Sequence, residues 1–284
     1  MQLELWQLII LAIVQGITEF LPISSDGHLA IISQWLAPGQ DLDQFVEVNI
    51  VLHLGTFCSI LTYYWRRICR LVGEDRRLIG LLIIGTLPAV LLGLPLHKFG
   101  KEILGSALLA GCMLPITGVL LLVAHRYRFS LQDYRATSWR QALLIGCAQA
   151  TALLPGVSRS GTTITSGVAL GLTPASATTF SFLLALPAIA GAGVLGIIDI
   201  AQGKGSFTPP LWLAVGAIVS FVVGLCAISL LVRMLERQRL HWFAYWCIPF
   251  GLVVIAWQLS LPPSSSIETR SVSEGSSAVA RIPR

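Results

Sequence analysis

Charge is scarce in this chain, and positive charge is missing altogether until Arg66. Only 12% of its 284 residues are Asp, Glu, Lys or Arg, against 55% apolar, and mean hydropathy is +0.77. That balance excludes a soluble globular domain and predicts a polytopic membrane protein. The amino terminus lacks the basic stretch of a cleavable secretory signal, so none is expected. Strand-like alternation of apolar and polar residues is also absent, which excludes a transmembrane barrel. Backbone polar groups in lipid must then satisfy one another within helices, and the fold class is an all-α polytopic membrane protein. The six cysteines include no CxxC pair and no His/Cys cluster, so they read as small packing residues rather than redox or metal groups. The net charge of +5 does not call for nucleic acid, because topology accounts for its distribution.

Crossings need roughly 20 apolar residues, and six stretches qualify: Phe45–Trp65, Leu78–Leu96, Ile103–Ala124, Ala175–Ile198, Leu211–Val232 and Trp242–Leu261. Three loops, residues 66–77, 125–140 and 233–241, hold twelve of the nineteen Lys and Arg. The positive-inside rule places these loops in the cytoplasm and the loops at 98–103 and 199–210 outside. Two apolar segments remain without a crossing: residues 3–44, which begin and end outside, and 140–174, which begin and end inside. Each must enter the membrane and turn back, and each has a polar turn at its middle, "PISSDGH" and "PGVSRSGTT". Non-helical backbone at membrane depth is tolerated only against a cavity or buried in protein.

The two turns are related. Pro22 aligned on Pro155 brings Ser25 onto Ser158, and "GTLPAVLLGL" (85–94) matches "GAIVSFVVGL" (216–225) at nearly the same offset. Together with the charge pattern this predicts two inverted repeats, about 3–124 and about 140–261, each a re-entrant helix pair plus three crossings. The whole forms one membrane domain over 1–262, with a polar tail at 263–284 whose composition reads as disorder. Binding sites in such folds lie where the discontinuous segments meet.

Gln15 and Glu19 are four apart and share a helix face. A carboxylate at the bilayer centre costs at least about 2.5–3.5 kcal/mol, so Glu19 is a functional hypothesis by default. After Pro22, Ser25 offers a hydroxyl and His28 an imidazole, the usual base for activating a serine. The second turn supplies Arg159 between Ser158 and Ser160. A guanidinium grips phosphate oxygens bidentately, and hydroxyls with helix-start N–H groups complete an anion site. The turn departs from a nucleotide P-loop at Thr162, where Lys would stand. Carboxylate, hydroxyl and imidazole on one turn, with Arg and hydroxyls on the other, make a set for phosphoryl transfer, and a lipid with a phosphate head is the expected substrate.

At these residues the chain resembles the undecaprenyl-diphosphate phosphatase family of the bacitracin-resistance type. "QGITEFLPISSDGH" fits the family's first motif and "PGVSRSGTT" meets the second in full, with likeness extending over about residues 3–260. The resemblance implies hydrolysis of undecaprenyl diphosphate to the monophosphate, which recycles the carrier lipid of envelope synthesis and confers bacitracin resistance. It implies a multi-pass protein of the bacterial plasma membrane, with its active site toward the outer leaflet, and dependence on Mg²⁺ or Ca²⁺. It assigns Ser25 as nucleophile with His28 as its base or acid, Glu19 and Arg159 as further catalytic groups, and Ser24, Gly156, Ser158, Ser160 and Thr163 as diphosphate binders. Glu19 and Gln15 are its candidate metal ligands, and Asp26, peculiar to this sequence, is a further candidate. In a competing version Ser25 only binds phosphate and a water attacks. Two departures bear on the metal: Gln15 occupies a position that is often Glu, and Asp26 replaces the usual Thr. The partners are a polyprenyl diphosphate lipid and the bilayer, and a homodimer is compatible with the sequence.

Simpler readings compete for several residues. His53 either lines the cavity or is a hydrogen-bonded structural histidine; Glu47 and Asp199 fit an interface, and His97, His125 and His241 belong with loops. The eight tryptophans read as interfacial anchors. The runner-up function is a lipid-phosphate flippase or anion transporter, which would use the same Arg and hydroxyls without needing a nucleophile.

Overall fold

A computed structural model describes residues 4–36, 46–124, 131–203 and 208–261. Phe45, His125 and the tail predicted as disordered lie outside the described residues. Among the described residues the elements are helical throughout, with one isolated bridge between Gln132 and Leu172. In chain order they are α1 (Leu5–Thr18), α2 (Ser25–Leu36), α3 (Val46–Tyr63), α4 (Trp65–Val72), α5 (Arg76–Phe99), α6 (Lys101–Leu104) and α7 (Ala107–Ala124). Then follow α8 (Trp139–Thr151), α9 (Arg159–Ala169), α10 (Pro174–Ala201), α11 (Pro210–Glu236) and α12 (Ala244–Ser260).

Six helical stretches among the described residues are long and apolar enough to cross a membrane: α3, α5, α7, α10, α11 and Leu240–Ser260, which contains α12. They coincide with the six predicted crossings. At 1.5 Å per residue, α1, α2, α8 and α9 each reach only about 16–21 Å, short of the roughly 30 Å hydrocarbon core. None of the four crosses alone. Their starts are fixed locally. Ser138 caps α8, and its backbone N–H donates to Gln141 Oε1 at 2.8 Å. Thr173 caps α10, whose first residue, Pro174, has no N–H to leave unsatisfied.

Packing follows the small residues. In lipid, helices associate through close backbone approach rather than through the hydrophobic effect. Helix α1 lies against α11, α8 against α5, and α7 against α12. At the α5–α8 crossing a Cβ on Gly146 would stand 2.2 Å from the Gly85 carbonyl oxygen, and at the α3–α11 crossing a Cβ on Gly55 would stand 2.0 Å from Ser220 Oγ. Many large exposed apolar residues, among them Leu91, Ile116, Ile197 and Val253, lie on the spanning helices and give them a lipid-facing surface. Only Cys247 of the six cysteines is buried, so the packing role expected of the other five does not place them inside the bundle. Beside its apolar core the bundle also keeps polar groups inside: Gln15, Glu19, His28, Ser158, Ser160 and Thr163 are all buried.

Candidate active site

The last turn of α1 presents Gln15 and Glu19 on one face, as their spacing predicts. Gln15 Nε2 donates to Glu19 Oε2 at 3.1 Å. The chain then leaves the helix through Leu21–Ile23, and Ser24 takes a positive φ of 71° before α2 begins at Ser25. That reversal folds Ser25 back over the end of α1, where its Oγ donates to Glu19 Oε2 at 2.7 Å. Asp26, one residue on, lines the cavity above the site, with its side chain 57% exposed.

The second turn arrives from α8 and reverses at Gly156, whose φ is +92°. Ser158 caps α9, accepting from the Gly161 N–H at 3.1 Å. Arg159 is thereby held on the first turn of α9, and its Nη2 donates to Glu19 Oε1. The two turns, 133 residues apart in sequence, are stitched to each other. The Gly156 N–H donates to Ser24 Oγ at 3.1 Å, and Ser160 Oγ donates to the Leu21 carbonyl at 3.2 Å. From α7, Thr117 Oγ1 donates to the Gly156 carbonyl at 2.9 Å and accepts from the Ser158 N–H at 3.2 Å. A continuous chain results: Gln15, Glu19, Ser25 and Arg159, with opposite charges contributed by opposite turns. Two buried atoms in it, Gln15 Oε1 and Arg159 Nη1, have no hydrogen-bond partner among the described residues. Leaving such groups unpaired costs about 1–3 kcal/mol each, which marks the places where a ligand is repaid most.

The structure does not bring His28 to Ser25. The His28 ring lies at 4.9 Å from Phe250 and stacks on it, and its Nε2 accepts from the Trp246 indole N–H at 3.0 Å. Since an indole nitrogen only donates, Nδ1 carries the proton and gives it to the Ser24 carbonyl at 2.8 Å. Both nitrogens are spent, so the expected Ser25–His28 pair gives way to Ser25–Glu19. Trp246, expected as an interfacial anchor, instead fixes this histidine. His28→Ala is therefore expected to destabilise the fold by about 2–4 kcal/mol, through lost buried contacts and hydrogen bonds. Thermal melting in detergent checks this; a variant that melts like wild type yet hydrolyses nothing would return the imidazole to the chemistry.

The histidine that does face the carboxylates is His53 on α3. Its Nε2 stands 3.6 Å from Glu19 Oε2 and 3.7 Å from Asp26 Oδ1, while Nδ1 meets the Asn49 carbonyl at 2.9 Å. The signal for it was an ionisable residue inside an apolar crossing. The hydroxyls expected to bind diphosphate mostly hold the turns together. Ser24 accepts from Gly156 and Gly27, Ser158 caps α9, and Thr163 Oγ1 pairs with Ser181 Oγ at 2.6 Å. Glu47 accepts from the Thr208 N–H at 3.3 Å, away from this chain of contacts. A cavity of about 360 Å³ reaches the rim at Asp26 and Pro155, bounded further on by Asn49, His97 and Asp199.

Fold and site together define a class: a multi-pass helical membrane protein with a polar centre assembled from two oppositely charged turns. The chain belongs to the bacitracin resistance protein BacA family, whose family model matches residues 8–253. A relative from Rhodopirellula baltica named undecaprenyl-diphosphatase is 51% identical over 257 residues, 90% of this chain and 99% of the relative. Others of the same name, from Corynebacterium glutamicum and Methanosphaera stadtmanae, are 37% and 35% identical, covering 88% and 89% of this chain and 89% and 98% of their own lengths.

Proposed function

We propose that the protein hydrolyses undecaprenyl diphosphate to the monophosphate at the outer face of a bacterial plasma membrane, returning carrier lipid to envelope synthesis. The observation that carries this reading is the Arg159–Glu19–Ser25 chain built across the two turns. The names and coverage of the relatives support it. The short helix pairs α1–α2 and α8–α9 are read as re-entrant, and the two halves as inverted repeats. In support, α1 packs on α11 of the other half just as α8 packs on α5. Loop charges then put the Asp26 rim outside.

The chemistry follows from which atoms are engaged and which are unpaired. Arg159 Nη1, buried and without a partner among the described residues, takes a terminal phosphate oxygen and orients the phosphorus toward Ser25. Ser25 Oγ already points its proton at Glu19, so attack on the terminal phosphorus transfers that proton to the Glu19 carboxylate. The bond from that phosphorus to the bridging oxygen breaks, and prenyl monophosphate leaves. Water then cleaves the Ser25 phosphoester, regenerating the hydroxyl and releasing phosphate.

Gln15 Oε1, Glu19 and Asp26 offer hard oxygen donors that suit Mg²⁺ or Ca²⁺. Among the described residues no group of three or more His, Cys, Asp or Glu is placed to hold an ion by itself, so the set fits a cation that shares the substrate's oxygens. When bound, such an ion would neutralise charge on the diphosphate. Phosphate release from a prenyl diphosphate by detergent-purified protein tests the proposal. Release is expected with Mg²⁺ or Ca²⁺, is lost with EDTA, and falls by about 10²-fold or more in Ser25→Ala, the scale of losing an activated group. Well-folded wild-type protein that releases nothing across several divalent metals would sink the enzyme and leave the carrier reading, which needs no hydroxyl at Ser25.

A further inference from the structure

A second cavity, of about 820 Å³, lies at the opposite ends of α3 and α10. Its walls are the end of α3 and start of α4, the start of α10 and the end of α11. The rim cavity near Asp26 is bounded by the start of α3 and the ends of α10 and α5. If α3 pairs with α10 and α5 with α11, as the inverted repeats proposed above require, the two cavities are mates on opposite faces of the membrane. Their charges differ. Asp26 and Asp199 line the rim cavity, whereas Arg66 and Arg67 line its mate, with Glu236 its one carboxylate among the described residues.

Arg67 is held rather than loose. Its Nη1 donates to Thr179 Oγ1 at 3.1 Å, and its guanidinium sits 5.3 Å from the ring centre of Tyr134 and 5.8 Å from that of Tyr64. Thr179 and Tyr64 are themselves buried, so the groups that hold it belong to the packed bundle. Arg67 itself stays exposed to the cavity, with its guanidinium placed over two aromatic faces. Its remaining nitrogens make no hydrogen bond with the described residues, which leaves a preset fork for two oxygens. The start of α10 faces the same cavity, adding the positive end of a helix dipole.

We propose that this cavity is a second phosphate-anion site on the cytoplasmic face, with Arg67 as the bidentate contact and Arg66 as supporting charge. It takes a terminal phosphate, either the monophosphate head of a lipid or inorganic phosphate. The cytoplasmic label rests on the topology under Proposed function; the binding site does not.

Isothermal titration calorimetry on the full-length Arg159→Gln protein in detergent, which removes the main anion contact of the reaction centre, isolates this cavity. Farnesyl monophosphate and inorganic phosphate are the probes, each titrated again after adding Arg67→Gln or Arg67→Lys. Saturable binding weakened at least tenfold by Arg67→Gln, with Arg67→Lys in between, is expected for at least one probe. Arg67 dependence confined to farnesyl monophosphate identifies a lipid head as the occupant, and dependence for both probes identifies the phosphate group itself. Isotherms unchanged by both Arg67 variants, or no saturable binding by protein that elutes as a single species, would overturn the proposal. Because no turnover is read, failure of the phosphatase reading and failure of this site remain separate results.

Discussion

Arg159→Gln is expected to slow phosphate release from a prenyl diphosphate by about 10²–10³-fold or more, the usual loss when a preorganised donor to developing negative charge is removed. Two separate consequences follow from one contact. The substrate loses the Nη1 group, a buried nitrogen with no hydrogen-bond partner among the described residues. Glu19 loses its counter-ion and stays behind as a buried carboxylate, since its side chain is only 5% exposed. Breaking one side of such a pair typically costs about 3–5 kcal/mol of stability, so thermal melting in detergent must accompany the rate. Arg159→Lys separates the two effects: it keeps a positive charge near Glu19 but replaces a planar fork with a point charge. Melting restored with activity still low is the expected result. Activity restored along with melting would mean that a point charge suffices and that the guanidinium fork is not needed.

Gly156→Ala carries the second large effect. The residue sits at a φ of +92°, which costs an L-residue about 1–2 kcal/mol. Its new Cβ would stand 2.3 Å from the Ala110 carbonyl oxygen and 2.8 Å from Met113 Cβ. Overpacking of this kind adds about 1–3 kcal/mol, and α7 has little room to withdraw because its Thr117 bonds the same turn. The displaced turn would pull its N–H from Ser24 and move Arg159 away from Glu19. Loss of activity together with a melting point lowered by several degrees is expected. Gly171→Ala is the control, since it shares a positive φ of 102° but lies beyond the far end of α9. It should cost stability with activity largely kept. Equal activity losses in the two variants would deny Gly156 its special place.

Much of this was legible in the sequence, for physical reasons that also explain the rest. The six spans could be read because lipid demands long apolar runs, and their ends fell within a few residues of α3, α5, α7, α10, α11 and α12. Glu19 and Arg159 stood out because ionised groups are costly in that setting, and the structure pairs them across the two turns. The role of His28 could not be read. Three residues after Ser25 on a helix puts the two on neighbouring positions, but the direction of the ring is decided by Trp246 and Phe250 on α12, more than 200 residues later. His53 was visible as an oddity in an apolar run, yet its approach to Glu19 and Asp26 depends on how α3 leans against α1. The hydroxyl-rich second turn read as a ligand cradle. Its hydroxyls are largely occupied in bonding the two turns together, and a one-dimensional pattern does not separate those uses.

The idea that both turns form one reaction centre is tested most directly by a double-mutant cycle on Glu19 and Arg159. Initial rates of phosphate release would be measured for wild type, Glu19→Gln, Arg159→Gln and the double variant, at saturating lipid substrate. Groups that act as a unit are strongly non-additive, so the double variant is predicted to be no slower than the worse single one. Losses that multiply, with each single defect felt in full by the double variant, would show two independent sites and contradict a shared centre.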